Sequence, residues 1–531
     1  MNEYFLFCFA IVPVIFLIVS LGALKVPAHK ACSITLLITF LLSIFLFKMK
    51  ITNAITAVLE GSLIALWPIM IVIIAAIFTY NLSLETKSMD KIKMMLSSIT
   101  SDQRIQVLIL AWGFGGFLEA VAGYGTAVAI PASILASLGF NPLFAAVICL
   151  IANTVPTAFG AVGIPVITLA QILDLNIFDL SYAVSIQLVL FIIIVPFILV
   201  IMTKQSIKGL KGVFFITLMS GLSFAIPQVL VAKYLGAQLP ALIGSICSMA
   251  TTIILAKVFY GKVQVVSNVE NIEEEVLEVN GDAVVYTNKI SKLNLKESIL
   301  AWLPYILIFI FIIGSSPLFK TTNEFLTHFK TSIQIYTGEG AKEISFKWIS
   351  TPGVLIIIAT FIGGLIQGAK LNQILKVLLS TIKQLSKSII TVVSIVSMAK
   401  LMGYSGMVTS IALILVKITG NYFPIISPMI GALGTFLTGS DTSSNILFGS
   451  LQYEVANSIN INPYWLAAAN TSGATAGKMI SPQSIAVATS ATGLIGSEGK
   501  IFNRTIKFCI VYVLFLGFLV FVGSKFINIM L

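Results

Sequence analysis

Charge is what this chain has least of. Only 10% of its 531 residues are Asp, Glu, Lys or Arg, where a soluble domain carries about 25%. A surface that poor in charge excludes a water-soluble globule. Histidine is nearly absent, with two copies, and the five cysteines (Cys8, Cys32, Cys149, Cys247, Cys509) show no CxxC or CxxH spacing. An odd, scattered set of that kind supports neither a disulfide framework nor a metal centre. No nucleophile–base set of an enzyme is visible, and no cofactor or metal is expected.

What is present in excess is apolar residue, 58% of the chain, with a mean hydropathy of +1.03. Apolar runs recur from end to end, each long enough to cross the roughly 30 Å hydrocarbon core of a bilayer. The expected class is an all-α polytopic membrane protein with about 12–14 membrane segments. Thirty-two basic against 21 acidic residues give a net charge of +11. Basic loops on the cytoplasmic side explain that balance, and no nucleic-acid partner is implied.

Residues 4–24 form the first span, and no basic segment of a cleaved signal peptide precedes it. Lys25, His29 and Lys30 follow it, which puts the N-terminus outside. Further spans are expected at 31–47 and 61–80. The polar stretch 82–104, with Lys87, Lys91, Lys93 and Arg104, then falls in the cytoplasm. Cleaner spans read at 180–203, 213–232 and 239–260, then 298–314, 353–367, 389–402, 410–419 and 506–529. Residues 369–388 carry apolar positions at helical spacing broken by lysines, the pattern of an amphipathic surface helix. The hydrophilic, acidic loop 261–297 separates a first membrane half (1–260) from a second (298–531).

Four stretches break the pattern. Residues 112–126 read WGFGGFLEAVAGYGT, five glycines and one carboxylate, Glu119, inside a long apolar run. A charge at that depth costs roughly 2.5–3.5 kcal/mol on insertion scales. Irregular backbone survives there only against protein or a water-filled cavity. Residues 143–170 hold Asn153, Pro156, Gly160, Gly163 and Pro165 in mid-span, so this helix should break. Residues 431–449 contain Gly439-Ser440-Asp441-Thr442-Ser443-Ser444-Asn445, and 465–490 break around Pro482. Two of these stretches match: Asn153, Gly160 and Pro165 precede Asn470, Gly477 and Pro482 by a constant 317 positions, with Ala-Asn-Thr repeated at 152–154 and 469–471. The chain therefore reads as two repeats. Each has a hairpin-like interruption (112–127, 431–449) followed by a broken helix (143–170, 465–490). Paired interruptions in two halves point to a transporter site near the midplane.

Ser440, Thr442, Ser443 and Asn445 suit a half-helix start, whose exposed N–H groups receive a small anion. Asn153, Thr154, Asn470 and Thr471 add polar groups at the breaks. Glu119 and Asp441 are the acidic residues of the two hairpins and the candidates for proton coupling, structural hydrogen bonding being the competing role. Glu119, among glycines, is the first choice, and Asp441, among hydroxyls, reads as a hydrogen-bond organiser. Lys400 and Lys478 are the cations most embedded in apolar or small residues. Either suits a substrate carboxylate or a partner for Glu119 or Asp441; Lys400 suits snorkelling to the interface equally well, and Lys478 is favoured by its place after Gly477.

The run DQRIQVLILAWGFGGFLEAVAGYGTAVAIPASILASLGFNPLFAAVICLIANTVPTAFGAVGIPV resembles the bacterial L-lactate permease family, which includes glycolate permeases. The likeness extends to WPI at 67–69 and along most of the chain. It implies a multi-pass symporter of the bacterial cytoplasmic (inner) membrane that moves L-lactate, with D-lactate and glycolate as further substrates, together with protons. A carrier of the same architecture for another small anion, such as a sodium-coupled dicarboxylate, is the alternative. The resemblance also implies re-entrant hairpins in inverted repeats. Their tips fall at 119–126, which adds Gly123, Tyr124, Gly125 and Thr126 to the substrate-binding candidates, and at 438–445. The tips lack the Ser-Asn-Thr triplets of sodium-coupled dicarboxylate carriers. The oligomeric state is left open.

Overall fold

The computed structural model describes residues 3–526 apart from 21–23, 25, 98, 124, 261–293, 316–318, 342 and 495–496. Among the described residues, ten helices are long and apolar enough to cross a membrane, and shorter apolar helices lie between them. Their outward faces carry bare Ile, Leu, Val and Phe, such as Ile254, Val258, Val511 and Phe518, which suits a lipid environment. The acidic loop lies almost wholly outside the described residues, and the second half resumes with the helix Leu295–Gly314.

Two departures from the sequence expectation stand out. The span expected at 61–80 is part of a longer interrupted helix, Ile51–Glu85, which leaves helical geometry at Trp67 (φ −135°, ψ 117°). Its first turns carry Asn53 and Glu60, so an apolar-run reading starts too late. The fold is nearly all-helical, and the second departure is one short ribbon. Strands Lys330–Gln334 and Glu343–Lys347 pair antiparallel, with Lys330 opposite Lys347 and Gln334 opposite Glu343. This ribbon is tied to the membrane helices where Trp67 Nε1 donates to Lys347 O at 3.2 Å.

The four interruptions are real breaks in helical structure. The first helix–turn–helix unit runs from Gln103 to Val121 and returns as Thr126–Ser137. Gly123 and Gly125 have φ of 62° and 85°, the left-handed region that glycine enters without a Cβ penalty. Glu119 therefore sits within a helix, one turn before the tip, and not in the tip itself. Tyr124 lies outside the described residues. The second unit pairs Phe423–Thr438 with Asp441–Ser458. Here Gly439 (φ 72°) ends the first arm, and the Ser440 Oγ accepts from Ser443 N at 3.2 Å to cap the second.

The first broken helix stops at Ala152 and resumes through a short 3-10 turn and three left-handed residues, Ala161, Val162 and Gly163 (φ 43°, 59° and 78°). Non-glycine residues in that region cost of order 1–3 kcal/mol each, and such strain persists where its surroundings over-determine it. The second broken helix joins Pro463–Lys478 to Pro482–Thr492. Pro482 occupies the first helical turn, where its missing N–H is an orphan anyway, and Ser481 caps the new start through Ser484 N at 3.2 Å.

The halves pack reciprocally. The returning arm Thr126–Ser137 lies against Pro482–Thr492, and Gly160–Leu173 lies against Asp441–Ser458. Ile177–Lys204 likewise packs on Pro463–Lys478, and Glu498–Gly523 on Pro142–Ala152. Phe423–Thr438 and Pro463–Lys478 approach so closely that a Cβ on Gly431, Gly473 or Gly477 would fall 2.0–2.1 Å from a carbonyl oxygen of the other helix. Small residues at such contacts let membrane helices touch backbone to backbone.

Candidate functional site

This packing brings all four breaks to one buried centre. Lys478, the last residue of its half-helix, donates from Nζ to Glu119 Oε1 at 2.5 Å. The side chains are 11% and 2% exposed. Gly160, at the other break, lies against the same carboxylate: a Cβ there would sit 2.8 Å from Glu119 Oε1. Lys478 is thus the cation the centre uses, and it spans the two halves.

Asp441 opens the second arm of the second hairpin, close enough to Lys478 and Glu119 to interact electrostatically. It is 3% exposed, and neither carboxylate oxygen has a hydrogen-bond partner among the described residues. The hydroxyls beside it do not solvate it. Ser440 is spent on its helix cap, and Ser444 donates to Gly431 O at 2.7 Å. The expectation of Asp441 as a hydroxyl-held organiser is corrected on that geometry. Glu119, expected to lack local stabilisation, is the carboxylate with a cation.

Around this centre lies a polar network. Asn445 Nδ2 donates to Pro165 O at 3.1 Å, a carbonyl inside the opposite broken helix. Asn470 Nδ2 donates to Asn445 Oδ1 at 3.0 Å and to Ser444 O at 3.3 Å. Gln452 donates to Asn470 Oδ1 at 3.3 Å and accepts from Ser427 Oγ at 2.7 Å. Gln452 was not anticipated from sequence, although it lies two turns beyond Asn445 and so on the same helix face. Thr126 Oγ1 bonds Gly123 O at 2.8 Å and Thr154 Oγ1 bonds Ile151 O at 2.8 Å, both local. Thr442 and Ser443 are buried beside Asp441. Asn153 and Thr471 are buried with side chains that have no partner among the described residues.

Lys400 is not at this centre. It pairs with Glu60 at 3.1 Å, within a second buried cluster that sequence reasoning missed. Tyr404 donates its hydroxyl to Glu60 Oε1 at 2.7 Å, and the Tyr336 amide donates to Oε2 at 3.2 Å. The two tyrosine rings stack 3.7 Å apart. Glu60 lies ahead of the apolar run, 340 positions from Lys400, so nothing local in the sequence marks it as the partner of that lysine.

Interrupted helices converging on a buried charged centre, in a fold where ten described helices are long and apolar enough to cross a membrane, are the pattern of a polytopic membrane transporter. The L-lactate permease family profile matches residues 6–527, and the chain belongs to that family. It is 50% identical over 459 residues to the L-lactate permease of Streptococcus iniae, covering 86% of this chain and 92% of that one. It is 37% identical over 534 residues to the glycolate permease GlcA of Escherichia coli K12, covering 96% and 94%. The L-lactate permease of Salmonella typhi is 35% identical over 529 residues, again covering 96% and 94%. Membership makes this chain a transporter, a multi-pass protein of the bacterial cytoplasmic membrane.

Proposed function

We propose that this permease carries L-lactate, and with it D-lactate and glycolate, together with one proton. The names of its relatives supply the substrate class. The observation that carries the coupling is the charge composition of the centre: one ammonium, Lys478, paired with Glu119 at 2.5 Å beside a second carboxylate, Asp441, with no hydrogen-bond partner among the described residues.

Charge balance then gives a mechanism. Burying an uncompensated charge costs several kcal/mol, so the centre crosses the membrane neutral. Empty, two carboxylates against one ammonium require one proton. Loaded, the anion's carboxylate takes Lys478 from Glu119, and a second proton must enter to neutralise Glu119. Each transported anion is accompanied by one proton, and the net charge of the crossing centre stays constant. Asp441 holds the constant proton in this scheme and Glu119 the exchanged one. Gly160 leaves the room in which the Glu119 carboxylate sits. The two helix–turn–helix units are read as re-entrant hairpins of inverted repeats, a reading supported by their reciprocal packing on the two broken helices.

The test is uptake of labelled L-lactate by proteoliposomes of the purified protein. An inward proton gradient should drive accumulation with no sodium present. Accumulation that needs sodium, or that ignores the pH difference, would overturn the proton reading. Preference for a dicarboxylate would overturn the substrate reading.

A further inference from the structure

The two Ala-Asn-Thr segments are 317 positions apart and identical in sequence, yet their hydrogen bonding is complementary. At 470–471 the Asn is consumed: its carboxamide bonds Asn445, Ser444 and Gln452. The following Thr471 hydroxyl has no partner among the described residues. At 153–154 the roles are exchanged. Thr154 is spent on Ile151 O at 2.8 Å, while both polar atoms of the Asn153 side chain have no partner among the described residues. Asn153 is 3% exposed and Thr471 is 0% exposed.

Buried polar side chains are nearly always hydrogen-bonded, because an unmet donor or acceptor costs about as much as a lost bond. Two repeat-related segments that each leave one different group unmet are poised for something that completes them. Both segments belong to the centre. Asn153 starts the break that ends against Glu119 at Gly160. Thr471 lies two helical turns before Lys478, on the same helix.

We infer that Asn153 and Thr471 read the hydroxyl of a 2-hydroxy monocarboxylate, while Asn470 and Thr154 serve only the architecture. The inference rests on the proposed monocarboxylate transport. A carboxylate alone would need only Lys478. A hydroxyl both donates and accepts, and the Asn153 carboxamide offers one acceptor and one donor whichever way it is turned. A site built to bond a substrate hydroxyl rejects the analogue that lacks it far more strongly than an apolar pocket does, because its own buried groups stay unpaired. The carrier should therefore prefer lactate and glycolate over propionate and acetate.

The experiment measures competition against labelled L-lactate uptake in proteoliposomes of the full-length protein. Wild type should be inhibited by glycolate at much lower concentrations than by propionate. Asn153→Ala should cut the lactate-to-propionate preference by roughly tenfold or more, by weakening lactate and leaving propionate unchanged or improved. Thr471→Val, nearly isosteric, should act in the same direction and carries the test if the first variant folds poorly. Asn470→Ala should lower the thermal stability of the purified protein and leave the preference intact. An unchanged preference in both Asn153→Ala and Thr471→Val overturns the inference, as does a wild type that treats propionate like lactate. A wild type that carries no lactate at all would instead overturn the transport reading beneath it.

Discussion

Glu119→Gln isolates the coupling step. Glutamine keeps the side-chain length and an oxygen that can accept from Lys478, whose Nζ lies 2.5 Å from Glu119 Oε1 in the native pair. It cannot carry a negative charge, and it cannot take up a proton. With Asp441 keeping its constant proton, the empty centre would then hold Lys478 without the carboxylate that neutralises it. Removing one partner of a buried ion pair costs about 3–5 kcal/mol. At a tenfold rate change per 1.36 kcal/mol, return of the empty carrier should slow by roughly 150- to 5,000-fold. The loaded carrier escapes this penalty, because lactate supplies the anion for Lys478. Proteoliposomes containing Glu119→Gln should therefore exchange internal for external lactate at near wild-type rate, yet fail to concentrate lactate under an imposed pH difference. A variant that still concentrates lactate would show that the proton is not exchanged at Glu119. The coupling role would pass to Asp441, whose oxygens have no other partner among the described residues.

Gly160→Ala should impair the same centre from the other side. Its backbone (φ −65°) tolerates alanine, but the new methyl would press on Glu119 Oε1 from 2.8 Å. Lactate uptake should fall while protein yield holds, and normal uptake would refute the contact. Glu60→Ala should strand Lys400 in the interior and destabilise the protein by about 3–5 kcal/mol, read as a lower melting temperature. The half-saturation concentration of lactate should not move in the folded fraction, and a large change there would place the Glu60–Lys400 cluster in the transport path. For orientation, a cysteine at Lys91 should react with membrane-impermeant maleimide only from the cytoplasmic side. Labelling in intact cells would invert the topology.

The centre was legible because each of its parts violates a membrane rule. Glycines and a carboxylate in 112–126, hydroxyls and a carboxylate in 439–445, and proline in two long apolar runs have no reason to occur in plain spans. Ser440 caps a helix start and a helix restarts at Pro482, both features of local chemistry. Pairings were not legible, because they depend on which helices meet. Lys478 and Glu119 are 359 positions apart, and Lys400 meets Glu60 across a distance in sequence that no periodicity spans. The hydroxyls beside Asp441 misled for a related reason. Proximity along the chain suggested solvation, but a helix start turns those groups toward backbone N–H and carbonyl partners instead. The helical stretch around Glu119 was hidden too, since glycine weakens helix propensity while packing of the buried helix restores it.

The cross-half contacts also constrain how the molecule can move. Glu119 is bound to Lys478, Asn445 to the Pro165 carbonyl, and Gln187 to the Trp465 carbonyl at 2.8 Å. Each bond joins the first half to the second, and each is buried. Breaking any of them without replacement strands a polar group in a low-dielectric interior, where the cost is highest. The hairpins and broken helices must therefore travel as one unit while they stay dry. Only a group that substitutes for a partner can loosen it. The Lys478–Glu119 pair is the one contact in this set for which a small carboxylate is a direct substitute, since it offers Lys478 the same acceptor that Glu119 does. Under the proposed mechanism, substrate binding and release of the Glu119 carboxylate are then a single exchange.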